Sequence, residues 1–183
     1  MKTDYKHIYI RTRQMLTQPA VTWQAVLKEN STVRNTFRSY LFPIAIVLSV
    51  FIFLLRLIYY TPLQALGFGI VNFIAATSGA WFTYLITREY LCNKLNYPDH
   101  AALNLTIYSY TIFIIFLSIG GALENIFIGQ IFTLLSLIFL RTLYTGAEQL
   151  QQLQANHKTN ILIITFLSIV FIPVIITQIL MIV

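Results

Sequence analysis

The sequence predicts an all-α polytopic membrane protein: five transmembrane helices preceded by an amphipathic cytoplasmic interfacial helical segment. Three observations predict it. Of the 183 residues, 57% are hydrophobic and 10% charged, with a mean hydropathy of +0.73, whereas roughly 25% of residues are charged in soluble domains. Five segments reach the ~20 apolar residues that cross about 30 Å of hydrocarbon. Finally, eleven of the twelve Lys and Arg residues border these segments on one side.

Residues 1–39 form the leading region. Tyr5, Ile8, Tyr9, Met15 and Leu16 mix there with Lys6, Arg11 and Arg13, a composition suited to a helix lying along headgroups. The charges interrupt any short apolar signal core, so no cleaved signal peptide is expected. A second short helix starts at Pro19 and places Trp23, Val26 and Leu27 on one side, with Trp23 at the interface. Asn30 or Ser31 is expected to cap the helix that leads into the first span.

Residues 40–183 hold the spans, expected at Tyr40–Tyr59, Leu66–Arg88, Ala101–Gly121, Asn125–Tyr144 and Ile161–Val183. The first two are joined by a tight turn in which Thr61, Pro62 and Gln64 match an N-cap, a first-turn proline and the third-position partner of a capping box. Gly120 and Gly121 are expected to end the third helix, with Glu124 in the first turn of the fourth. Gly146 is expected to break the fourth helix. Pro173 removes a backbone hydrogen bond near the middle of the fifth and frees the carbonyl of Ile169, for packing or for a hinge.

Charge sets the orientation. Lys2, Lys6, Arg11, Arg13, Lys28, Arg34, Arg38, Arg88, Lys94, Arg141 and Lys158 share the N-terminal side; Arg56 alone lies opposite. The positive-inside rule makes the N-terminus cytoplasmic and, after five crossings, the C-terminus at Val183 external. The net charge of +6 then marks a membrane face bordering lipid, and no nucleic acid is expected as a partner. The leading region is a topogenic anchor or a docking surface for a protein or anionic lipid, with Trp23, Arg11, Arg13 and Lys28 as the interface residues.

No catalytic, cofactor-binding or metal set is expected. The chain has no Gly-rich phosphate loop and no Cys/His cluster, and His7, His100 and His157 are far apart in cytoplasmic connections. The single cysteine, Cys92, excludes an internal disulfide. Intramembrane proteolysis needs paired carboxylates, an activated serine or zinc ligands within the bilayer, and no span carries such a set near its middle.

What remains is polar residues inside the spans. Asn72, Ala76, Gly79 and Thr83 recur at helical spacing in the second span, a close-packing face or the wall of a substrate path. Asn104, Tyr108, Ser109 and Tyr110 in the third span, with Gln130, Thr133 and Ser136 in the fourth, are placed to hydrogen-bond to it. Arg56 and Glu124 carry the two opposite charges at the outer side and are predicted to pair, unless Arg56 snorkels to the headgroups. At the cytoplasmic ends of spans two and four, Arg88, Glu89, Arg141 and Glu148 are expected to join in a network.

Pro19, Trp23, a polar stretch, then Tyr40 and Pro43 opening the first of five spans resemble the bacterial members of the Yip1 domain family. Asn72 followed by small residues to Gly79, "YSY" at Tyr108 to Tyr110, and "LYTGAEQL" closing the fourth span carry the resemblance along nearly the whole chain. The chain departs from it where Ile112 follows Thr111, a region in which members often show proline. The resemblance implies five helices, a cytoplasmic N-terminus, homo-oligomers, protein partners and a bacterial inner membrane. Eukaryotic relatives are linked to vesicle traffic and Rab-type GTPases, but the "DLYGP" sequence of those relatives does not occur here.

Three function classes follow. The first is a non-enzymatic scaffold or adaptor of Yip1 type that organises partner proteins or lipids at the cytoplasmic face. The second is a small transporter, channel or lipid-handling protein with a polar path between spans two, three and four, lined by Asn72, Tyr108 and Gln130. An intramembrane enzyme is third, for want of a catalytic set.

Overall fold

The computed structural model describes residues 5–124, 126–150 and 155–182. Lys2, the span start expected at Asn125 and the chain end at Val183 lie outside the described residues. Two short helices, α1 (Tyr5–Thr17) and α2 (Pro19–Val26), precede five helices long and apolar enough to cross a membrane. These are α3 (Val33–Arg56), α4 (Pro62–Lys94), α5 (Asp99–Ala122), α6 (Phe127–Gln149) and α7 (Asn156–Ile182). We call the end of the bundle that carries α1 and α2 proximal and the other end distal.

Local chemistry sets most boundaries. The first crossing helix begins at Val33, seven residues before the expected Tyr40, so the boundary expected at residue 39 falls within it. Its cap is Thr32, whose hydroxyl accepts the Asn35 N–H at 3.4 Å. Ser31, one of the two expected caps, instead spends its hydroxyl on Asn104 at 2.7 Å. At the distal turn the capping box forms as its spacing predicts, with Pro62 at the first helical position. From there α4 runs 33 residues, about 50 Å, well beyond the hydrocarbon thickness. It closes in a π-helical turn, Glu89–Lys94, after which Asn96 takes φ 56° and the Tyr97 N–H reaches the Leu91 carbonyl at 3.0 Å. Asparagine is among the few side chains that accept this left-handed geometry readily.

Helix α5 ends at Ala122, one residue past the expected Gly121, and two ends of the next helix differ from expectation. Glu124 therefore sits in the connection, and α6 starts at Phe127. Helix α6 also continues through Gly146 to Gln149, because that glycine serves a close approach rather than a break. Pro173 lies inside α7.

The bundle is four helices around one. In α5, 78% of the most apolar window is buried, against 28–33% in the other four spans. Helix α5 packs against α3, α4, α6 and α7, and α4 packs along both α3 and α7. An aromatic run joins three helices: Phe113 of α5 meets Phe139 of α6 edge-on at 5.1 Å, and Phe139 stacks on Phe166 of α7 at 5.8 Å. Outward-facing Leu54, Leu63, Leu134, Phe171 and Ile179 are exposed on the outer helices. Such a surface suits a hydrocarbon solvent, in which all backbone groups must be satisfied by helices.

Helices α1 and α2 are fixed to the proximal end of this bundle. The Asn104 amide donates to the carbonyls of Val26 (2.8 Å) and Glu29 (3.3 Å), and Thr12 shares a hydrogen bond with the Tyr40 hydroxyl at 2.9 Å. Asn104 thus works for the N-terminal connection rather than for the small-residue face of α4.

Candidate functional site

A cavity of about 710 Å³ opens in the distal half, lined by residues of all five spanning helices. Its α7 wall runs from Met181 down to Pro173, a rise of about 12 Å. That is less than half the ~30 Å hydrocarbon thickness, so the space is a cleft in the distal half and does not run the length of the bundle. The cause lies in how α6 packs. Its distal half, Phe127–Leu135, lies on α5, whereas it meets α7 through its proximal half, Phe139–Gln149. Between the distal ends of α6 and α7 the cleft is walled by Gln130, Thr133 and Leu134 on one side and Val174, Thr177 and Gln178 on the other.

Arg56 and Glu124 line the mouth, with Arg56 Nη1 2.7 Å from Glu124 Oε1. The two partners differ in freedom: the Arg56 side chain is 7% exposed and that of Glu124 54%. Arg56 is held by its surroundings. Its Nη2 donates to the Gly121 carbonyl at 2.9 Å, and its guanidinium lies 4.6 Å from the Phe68 ring centre and 5.3 Å from that of Tyr60. A cation against aromatic faces at this range is attracted by about 0.5–2 kcal/mol per contact. The Arg56 Nε is buried with no hydrogen-bond partner among the described residues.

Deeper in, Asn72 clips three helices together. Its amide donates to Ser49 of α3 at 3.2 Å, and its carbonyl oxygen accepts from Ser118 of α5 at 2.9 Å. Below it the cleft closes. Gly79 faces Tyr110 and Pro173, and a Cβ there would stand 3.2 Å from Pro173 Cβ and 3.3 Å from Tyr110 Cζ. The Tyr110 hydroxyl donates to the Ala75 carbonyl at 3.2 Å. Gly79 and Tyr110 therefore form the floor, and the small-residue face of α4 is a packing surface at this level.

The sequence-predicted residues thus separate into two groups. Arg56, Glu124, Asn72 and Gln130 line the distal cleft, with Gly79 and Tyr110 beneath it. Tyr108 does not join them, which corrects the expected path of Asn72, Tyr108 and Gln130. It lies in the proximal half, 4.7 Å from Tyr40 and 6.2 Å from Trp23 between ring centres.

The N-terminal set is corrected as well. Trp23 is fully buried, its indole N–H donating to the Thr142 carbonyl at 2.8 Å. Arg11 is ion-paired with Glu29 and stands 6.0 Å from the Tyr108 ring centre. Arg13 and Lys28 remain exposed. The expected network of Arg88, Glu89, Arg141 and Glu148 is replaced by local pairs: Arg88 with Asp99 at 2.6 Å, Glu148 with Lys158 at 3.1 Å, and Glu89 accepting from Asn93 at 2.7 Å. Among the described residues no three His, Cys, Asp or Glu side chains form a metal-binding group.

Sequence reasoning missed Tyr60, Phe68, Thr177 and Gln178. Tyr60 had a readable signal, since it follows Arg56 at the i+4 spacing that brings side chains together, whereas Phe68 lies on the next helix and had none. Thr177 and Gln178 gave none, because nothing local relates them to Arg56.

Fold and site together define an all-helical membrane protein of five spans with a cleft in the distal half of its bundle. Compared with known protein families, curated proteins and solved structures, the chain matches none.

Proposed function

We propose that the protein is a non-enzymatic lipid-handling membrane protein that binds an amphiphile in the distal cleft. The observation that carries the reading is the cleft itself: about 710 Å³, a charged mouth at Arg56 and Glu124, and walls of Ile52, Ile114, Leu117, Leu134 and Val174 below. Volumes of roughly 300–1,000 Å³ with few polar groups are typical of small-molecule sites. The floor at Gly79 and Tyr110 argues against a conduit for ions or solutes.

Native mass spectrometry of the full chain, released gently from its membrane, tests the proposal. Thr177→Trp would fill the cleft from α7. The expected result is one tightly retained lipid per chain in the wild type and none in Thr177→Trp. Equal retention in both would end the reading.

A Yip1-type adaptor is the second reading, favoured by exposed Tyr5, Tyr9, Arg13 and Lys28 around α1 and α2. Its test is Arg13→Glu with Lys28→Glu. Removal of the whole leading region would strip Trp23 and the contacts of Asn104 from the bundle and confound loss of a partner with loss of the fold. Partner capture lost by the double variant at unchanged melting temperature would favour the adaptor over the cleft.

A further inference from the structure

Of the two charged groups at the mouth of the cleft, Arg56 is the buried one, and its surroundings leave it unfinished. Of the guanidinium nitrogens, Nη1 faces Glu124, Nη2 donates to the Gly121 carbonyl, and the buried Nε has no partner among the described residues. An arginine offers five donors in a planar fork that matches carboxylate and phosphate oxygens. A buried N–H without an acceptor is a standing cost that an incoming oxygen can remove.

The two members of the ion pair are not equally bound to their places. Arg56 cannot leave: its side chain is 7% exposed and lies against Phe68 and Tyr60. Glu124 can. It is 54% exposed and stands in the connection between α5 and α6, so turning it into water costs little desolvation. An anion that takes its place keeps the site neutral.

Resting on the amphiphile reading above, we infer that the occupant of the distal cleft is a lipid with an anionic headgroup seated on Arg56, and that Glu124 is the internal acid it displaces. The headgroup belongs at the mouth because Arg56 closes the distal end of α3, at headgroup level. The chain belongs below it, against Ile114, Leu117, Leu134 and Val174. A lipid fits better than a free anion, since the cleft lies between α6 and α7 on the side that faces hydrocarbon.

The test is equilibrium lipid binding to the purified full chain by native mass spectrometry. The probes are phosphatidylglycerol, phosphatidylcholine with the same acyl chains, and glycerol phosphate. Wild type should prefer phosphatidylglycerol to phosphatidylcholine by about tenfold, the scale of one charge-assisted contact. Arg56→Gln should reduce that preference to near one while phosphatidylcholine still binds. Glu124→Gln should tighten phosphatidylglycerol by about fivefold or more, a gain that no folding defect produces. Equal binding of the two lipids by wild type, or unchanged or weaker phosphatidylglycerol binding by Glu124→Gln, would overturn the inference. Glycerol phosphate competing as well as the whole lipid would overturn the lipid source in favour of a soluble anion. Thr177→Trp separates the two levels. If it removes both lipids while wild type does not discriminate, the cleft reading stands and the anionic headgroup fails; if both lipids stay bound to it, the cleft reading itself fails.

Discussion

A methyl group at residue 146 would stand 2.7 Å from Cδ1 of Leu105 and 2.7 Å from Cε2 of Trp23. Both neighbours are fully buried and cannot retreat, so Gly146→Ala should cost about 1–3 kcal/mol, the usual penalty of overpacking. A lowered melting temperature in detergent checks it, and an unchanged one would mean that α2 can move away from α6 freely. The same contact buries Trp23, a residue whose own chemistry predicts an interfacial place. Tryptophan favours membrane borders because one end of its ring is apolar and the other carries an N–H, and that much is legible at its own position. Its acceptor, Thr142, and the space left by Gly146 are far away in the chain, so only the folded packing shows that the ring turns inward. Arg56 and Glu124, by contrast, were legible as a candidate pair because few charges lie on the distal side, and lone opposite charges in a low dielectric seek one another.

Helix α5 carries a heavier polar load than its central position suggests. Asn104, Thr106, Ser109, Tyr110, Thr111 and Ser118 are all buried in it. Most are satisfied: Thr111 bonds back to the Ile107 carbonyl at 2.7 Å, Ser118 to Asn72, and Tyr110 to the Ala75 carbonyl. The hydroxyls of Thr106 and Ser109 are buried with no hydrogen-bond partner among the described residues. An unmade hydrogen bond costs more than a matched apolar replacement, so Thr106→Val should raise stability by up to ~1 kcal/mol at nearly constant volume. A higher melting temperature is the expected result; a fall would show that the hydroxyl serves a bound molecule or a partner chain. Apolar length alone makes α5 a span, but its place at the centre is not written in its hydropathy. Hydropathy does not separate a helix facing lipid from one facing protein, since both environments are apolar; the density of small and hydroxyl side chains is the better sign. Capping residues made the α3–α4 turn legible, whereas glycine misled at 146, where the helix continues because Leu105 and Trp23 require the space.

For the whole molecule, the five spans follow from apolar length, and the cleft does not. It arises because α6 packs on α5 through both its halves but meets α7 through its proximal half, a property of packing angles that no single segment encodes. What the cleft can bind depends on which leaflet it opens to, and charge asymmetry makes a definite statement there. Basic residues crowd the proximal end, so that end should be cytoplasmic and the cleft should open to the outer leaflet. The chain supplies its own probe. Its single cysteine, Cys92, is partly exposed near the proximal end of α4, while Leu63 is 80% exposed at the distal turn. A membrane-impermeant thiol reagent applied to intact cells should leave wild type unlabelled and label Leu63→Cys made in a Cys92→Ser background. Opening the cells should then expose Cys92 of the wild type. Labelling of wild type from outside, with Leu63→Cys silent, would invert the protein: the cleft would then face the cytoplasmic leaflet, and Arg56 would draw on that leaflet's lipids instead.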